Sequence, residues 1–187
     1  MTLFHPKHKK FAIICGMDKT MVAITRLKVY LESTISSYYV ALPSSSAVNA
    51  ERQAYTIKWH ETWSGKCDLF VSKYVVEENA KGDPVRAKAR LEYDRIAMMI
   101  DVDESVVTPL ADRLIRPDAI PATERLDAYH VATAAAYGMD VLLTWNCTHI
   151  NNPIMLPSII TQVALAGYKC PQIMTPREFL EVYNAIL

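Results

Sequence analysis

The chain has 187 residues, sets 20 Lys and Arg against 20 Asp and Glu, and is 51% hydrophobic, which is the length and composition of one soluble globular domain with a sizeable core. Zero net charge removes any argument for or against a nucleic-acid partner from overall basicity, so only the local distribution of charge can speak to it. Four scattered cysteines without a CxxC pair exclude a disulfide scaffold, and the lack of a run of about eighteen apolar residues excludes a membrane-spanning helix.

Residues 1–26 read as a poorly constrained extension. The basic KHKK at 7–10 precedes FAIICGM, which is too short and lacks a small-residue cleavage site for a signal peptide, and Met21 is a second candidate start. The domain then runs over 27–187. LKVYL at 27–31 is the first strand, and Ser33 and Thr34 are candidate caps for the helix after it. Residues 46–63 predict a helix with Trp59 and Trp63 at i,i+4 on one face, which is either ordinary core or an exposed aromatic patch used for docking, and CDLFVS at 67–72 a buried strand. A short helix at 73–81 stops at Gly82, and Asp83-Pro84 opens another running to about Met98. IDV at 100–102 is a weak third strand.

Helices at 105–115 and 123–137 follow, separated by Pro117 and Pro121, with Thr123 the expected cap of the second. VLLTW at 141–145 is a continuous apolar run of the kind buried on both faces. A helix at 154–166 ended by Gly167, a strand at 171–174 and a helix at 176–186 complete the chain. Strands alternating with helices predict an α/β fold, a central mainly parallel sheet covered on both sides.

In such a sheet ligands bind outside the carboxyl ends of the strands. Glu32 interrupts the apolar first strand at that end, and Asn146 stands just past VLLTW. Glu77 and Glu78 point about 100° apart on a helix, so only one of them can face a shared site, and Glu78 is preferred over Glu77. Asp127 lies in the first turns of its helix, where an acid is also favoured by the dipole, with His130 one turn on. Separated carboxylates and an amide at one edge are a candidate Mg²⁺ or Mn²⁺ site, because these ions take oxygen ligands. Cys147 and His149 flank Thr148 near the site, but with no second pair they do not make a zinc site. Arg86 and Arg90, at i,i+4, give one helix a basic face for phosphate, with Arg113, Arg116 and Arg125 further candidates. Thr34 and Thr144 are placed either to position a water or phosphate or to cap the backbone.

Three segments together carry a resemblance: VYLESTISSYY at 29–39, LFVSKYVVEENAKGDP at 69–84, and ERLDAYHVATAAAYGMDVLLTWNCTHINNP at 124–153, with TPREFL at 175–180 fitting the last helix. The chain resembles PIN-domain proteins of the branch that includes the ribonuclease toxins of bacterial toxin–antitoxin pairs. The resemblance covers roughly 27–187 and leaves 1–26 outside. It implies a three-layer α/β/α sandwich and a metal-dependent phosphodiesterase site whose acidic positions fall on Glu32, Glu78 and Asp127, with the fourth on Asn146. In the family the first and fourth positions are usually or often Asp; here the first is a methylene longer and the fourth is neutral.

The unpaired cysteines read as reduced thiols of a cytoplasmic protein, and the resemblance further implies hydrolysis of RNA with Mg²⁺ or Mn²⁺ and a small antitoxin or a second copy as partner, the 46–63 region taking part. The alternative reading is a catalytically weak nucleic-acid-binding module using the same groove. A flavodoxin-like structural protein is disfavoured by the absence of a Gly-rich phosphate loop.

Overall fold

A computed structural model describes residues 26–116 and 118–185. The expectations for the N-terminal extension, including its basic run, Cys15 and Met21, lie outside the described residues. Strand β1 is Lys28–Leu31, followed by helices α1 (Ser33–Val40) and α2 (Ala47–Trp63). Strand β2 (Asp68–Ser72) leads into α3 (Lys73–Asn79) and α4 (Pro84–Asp94), and β3 (Met98–Ile100) into α5 (Glu104–Leu114) and α6 (Arg125–Ala136). Strand β4 (Val141–Leu143), α7 (Leu156–Leu165), β5 (Gln172–Met174) and α8 (Pro176–Tyr183) end the domain.

All strand pairings are parallel, in the order β3-β2-β1-β4-β5. Parallel strands need crossovers, and right-handed crossovers put helices on one face while the chain moves one way and on the other when it reverses. The chain moves outward from β1 to β3 and then returns past it to β4. The helix contacts follow that rule: α1 packs on α2 and α4 and α2 on α8, whereas α5 packs on α6 and α7. This is the three-layer α/β/α sandwich expected from the sequence. The reversal makes β1 and β4 neighbours, with Val29 opposite Val141 and Leu31 opposite Leu143, so the crevice of the sheet opens at their carboxyl ends.

Several boundaries differ from the sequence reading. Helix α4 stops at Asp94 rather than near Met98, because the N–H groups of Arg95, Ile96 and Ala97 fold back three residues, to Glu92, Tyr93 and Asp94. That releases Met98–Ile100 to pair with Phe70–Ser72, so β3 begins two residues before the expected IDV. Thr123 does not cap α6; it sits in a 3-10 turn, Ala122–Glu124, that precedes it. Strand β4 ends at Leu143 because the Trp145 N–H leaves the ladder to donate to Thr34 Oγ1. Helix α7 begins at Leu156 rather than 154. Helix α8 starts as expected at Pro176, fixed by a capping box between Thr175 and Glu178.

The tryptophan pair of α2 is core. Trp59 is 0% and Trp63 8% exposed, and both stack edge-on against Phe179 of α8 at 5.8 and 5.3 Å. Trp63 Nε1 also donates to Asn184 Oδ1 at 2.8 Å. The expectation of an exposed aromatic docking face on 46–63 is therefore corrected: α8, distant in sequence, covers it. No helix among the described residues is long and apolar enough to cross a membrane.

Candidate metal centre

Glu32 is the first residue past β1, and its backbone N–H still donates to Leu143 O at 3.1 Å, which pins it between β1 and β4. Its side chain is held in the crevice at 3% exposure. Three hydroxyls donate to its carboxylate: Ser33 Oγ to Oε1 at 2.7 Å, Thr144 Oγ1 to Oε2 at 2.7 Å, and Thr34 Oγ1 also to Oε2. Ser33 and Thr34 thus do not cap α1 as the sequence suggested; they serve the acid at its N-cap position. Of the two roles the sequence left open for Thr34 and Thr144, each takes the backbone one, accepting a backbone N–H, from Trp145 and Asn146, at 2.8 Å.

Helix α3 presents Glu77 to solvent and turns Glu78 inward. Glu78 Oε2 lies 2.8 Å from Nε2 of His130, which is 0% exposed. Burial works to raise the Glu78 carboxyl, but the bond and charge of His130, with help from Ser33 and Lys81, outweigh it, and the group titrates below the usual range. Behind His130, its Nδ1 lies 2.9 Å from Tyr30 Oη, which is 2.7 Å from Ser72 Oγ. Burial works to lower the His130 imidazole, while Glu78, Glu32 and Asp127 raise it, and the balance is upward.

Asp127, in the first turn of α6, is 7% exposed. Its Oδ2 accepts from Asn146 Nδ2 at 2.8 Å and lies 3.1 Å from His149 Nδ1. Asn146 Oδ1 accepts from the His149 backbone N–H at 3.1 Å, so the amide ties Asp127 to the turn after β4. Burial raises the Asp127 carboxyl, Glu32 adds to this, and Asn146, His130 and His149 oppose it without cancelling it.

The four residues singled out from sequence do converge on one edge, but in two adjoining groups. Ligand atoms of Glu32, Glu78 and His130 lie within 4.8 Å of one another, and so, separately, do those of Glu124, Asp127 and His149. Among the described residues no Lys or Arg forms a salt bridge with Glu32, Glu78 or Asp127. Oxygen-rich, largely buried and paired with histidines rather than with Lys or Arg, such a set can hold a hard divalent cation.

The basic residues are placed differently from the expected i,i+4 face. Arg90 folds back to donate to Asn79 O at 2.9 and 3.1 Å and to Lys81 O, so it closes the end of α3. Arg86 is exposed and lines an open depression of about 490 Å³ with Tyr38, Asn49 and Gln53. Arg116 and Arg125 pair with Asp118 and Asp112, and Arg113 lines a separate depression beside α5.

Sequence reasoning missed Arg52, whose guanidinium lies 5.5 Å from the Trp145 ring and 5.7 Å from that of Tyr38. It also missed Tyr30, Ser72 and Glu124, and weighed His149 only toward zinc. The signal for Tyr30 was a phenol inside an apolar strand, which needs a buried partner.

No protein-family model matches the chain, and no curated protein does. Among solved structures it is similar to VapBC2 from Rickettsia felis, bound to a DNA fragment from their promoter. That likeness has a TM-score of 0.51 at 13% identity and covers 80% of this chain and 98% of the other. At that identity the likeness speaks to architecture: the chain has a PIN-like fold, a parallel five-stranded sheet between two helical layers with its acidic residues at the carboxyl edge.

Proposed function

We propose that this chain is a PIN-domain ribonuclease that hydrolyses RNA phosphodiester bonds with Mg²⁺ or Mn²⁺, acting in the cytoplasm as the toxin of a toxin–antitoxin pair. The observation that carries it is the convergence of Glu32, Glu78 and Asp127 at the carboxyl end of β1 and β4 with no Lys or Arg salt bridge. The residues fit such an ion. The donors are oxygens, and the upward shift of Asp127 from burial and from Glu32 is the crowding that a cation relieves.

Glu32 and Glu78, with Asp127 from the adjoining group, would hold the ion, which when bound polarises phosphate and makes water a better nucleophile. Around them, the Ser33, Thr34 and Thr144 hydroxyls fix the Glu32 carboxylate, and Asn146 and His149 fix Oδ2 of Asp127. Thr144 would act on substrate only through Glu32, whereas exposed Arg86, and Arg52 beside Trp145, would meet flanking phosphates. VapBC2 with its promoter DNA supports a small antitoxin or a second copy as partner. With Trp59 and Trp63 buried, that contact would use a face other than this pair.

The second reading, a nucleic-acid-binding module with little turnover, is favoured by the division of the site into two groups and by the neutral Asn146. Cleavage of a panel of single-stranded and structured RNAs, with Mn²⁺ and with EDTA, separates the two. Turnover in Mn²⁺ that EDTA abolishes and Glu32→Gln removes is expected. RNA binding without turnover, with Glu32→Asp creating cleavage, would establish the binding module instead.

A further inference from the structure

A chain of polar groups leads to the half-buried Glu78 carboxylate from three fully buried ones: Ser72 Oγ at the end of β2, Tyr30 Oη on β1 and the His130 ring on α6. The His130 ring can play either of two parts. Its Nε2 lies close enough to the carboxylate oxygens of Glu32 and Glu78 to share an ion with them, or it can be a donor that only holds Glu78. We propose that Ser72 and Tyr30 are positioning residues that hold His130 as an Nε2–H donor to Glu78, so that His130 orients this carboxylate and does not ligate the ion. This rests on the metal-site reading above.

Counting hydrogens decides the direction of the chain. Ser72, Tyr30 and His130 are each 0% exposed, and Tyr30 Oη is the partner of Ser72 Oγ among the described residues. If Ser72 donates to Tyr30 and Tyr30 donates to His130 Nδ1, the ring proton sits on Nε2 and goes to Glu78. Every hydrogen then has an acceptor, and the chain ends on a carboxylate, which only accepts. Reversed, Nδ1–H donates to Tyr30 and Tyr30 donates to Ser72. The Ser72 hydrogen is then left without an acceptor in a site closed to water, which is costly. The bare Nε2 lone pair would also face Glu78 Oε2 at 2.8 Å, a repulsion unless Glu78 takes up a proton.

A doubly protonated ring still carries Nε2–H toward Glu78. In each favourable arrangement Nε2 is a donor, and a nitrogen bearing hydrogen has no lone pair for a metal. The groups facing the ring agree with this part: Glu78, Glu32 and Asp127 are acids that an Nε2–H suits. Burial keeps the Tyr30 phenol protonated well above its ordinary range, so its donor is retained. Sequence and topology explain the reach. Tyr30 pairs with Phe70, so Ser72 stands two residues further along the neighbouring strand, at the same edge.

The test uses the full chain labelled with ¹⁵N in its histidines, with the His130 signals assigned by loss in His130→Gln. Long-range ¹H–¹⁵N spectra are recorded without metal and with Mg²⁺, and Mn²⁺ affinity is measured by titration calorimetry. Nε2 of His130 should be protonated in both spectra. A near-isosteric Tyr30→Phe, checked for folding by circular dichroism, should loosen the Nε2–H preference. It should also weaken Mn²⁺ binding about tenfold, the low end for losing a partner that orients a ligand. Ser72→Ala should do the same to a smaller extent.

An Nδ1–H tautomer in the free protein, or loss of Nε2–H on adding Mg²⁺, would overturn the proposal. So would a folded Tyr30→Phe whose tautomer and Mn²⁺ affinity match the wild type. Absence of Mn²⁺ binding by the wild type, with Nε2–H intact, would overturn the metal reading while bearing out the hydrogen-bond assignment.

Discussion

Asp127→Asn should make the protein more stable without metal and gain less from it. In the free protein Asp127 is 7% exposed, burial and Glu32 raise its carboxyl, and the Asn146 amide and His149 beside it do not cancel the rise. A carboxyl that titrates higher in the fold than in the unfolded chain favours the fold below the ordinary value of about 3.9, and that contribution is lost as pH rises through the folded value. At pH 7 the wild type in EDTA therefore carries the whole deficit, and the Asn variant does not. Asn still offers Oδ1 to the Asn146 and His149 donors.

Mn²⁺ at a hundredfold excess over its dissociation constant should stabilise the wild type by about 2.7 kcal/mol. For a domain of this size that is roughly 5–11 °C in melting temperature, at about 2–4 °C per kcal/mol. A tenfold loss of affinity in the variant cuts the gain to about 1.4 kcal/mol at the same ion concentration. Melting by differential scanning fluorimetry at pH 7 in EDTA and in Mn²⁺ should thus show the ion raising the wild type about twice as far as the variant. The EDTA gap should be largest near neutral pH and close toward pH 4. An equal Mn²⁺ gain in the two proteins would remove Asp127 from the ion. A variant less stable than wild type in EDTA at pH 7 would mean that its carboxylate is not crowded at all.

Glu78→Gln should lower RNA cleavage by more than the roughly 10–100-fold that a supporting residue is worth, while Glu77→Gln, exposed on the other side of α3, should leave the rate nearly unchanged; the reverse pattern would put the helix out of phase by one residue. Asp94 is buried among α1, α3 and α4, where Asn79 Nδ2 donates to it at 2.8 Å, and burial pushes its carboxyl up to about 6. Its contribution is full below about pH 4 and lost as pH rises through 6, so Asp94→Asn should stabilise by about 2 kcal/mol at pH 8, after a discount for solvent screening, and little at pH 4, read by urea unfolding. Trp59→Ala removes a fully buried ring packed on Phe179 and should cost about 3–5 kcal/mol in the same assay; a variant of unchanged stability that loses self-association would restore the docking-face reading.

The sequence by itself determined the alternation of strands and helices, and hence a parallel sheet covered on both sides. Glu32 breaking an apolar strand, Asp127 opening its helix and Asn146 following VLLTW were legible because each is polar at the end of an element, where local pattern is informative. The choice of Glu78 over Glu77 was legible from helical geometry together with the family pattern. Strand order, and therefore which strand ends meet, was decided only by the fold: nothing local says that β4 returns to lie beside β1.

The same holds for every contact between residues far apart in the chain. Trp59 and Trp63 form an apolar stripe whether α8 or a partner covers it, and α8 lies more than a hundred residues away. Arg90 and Arg86 share a spacing, but the carbonyls at the end of α3 take one of them and leave the other exposed. His130 is one turn from Asp127 in any helix, yet its bond to Glu78 and its support from Tyr30 and Ser72 join four elements. Periodicity reports which way a side chain faces; only the packed structure supplies what it faces, because hydrogen bonding and burial depend on neighbours that sequence distance does not encode.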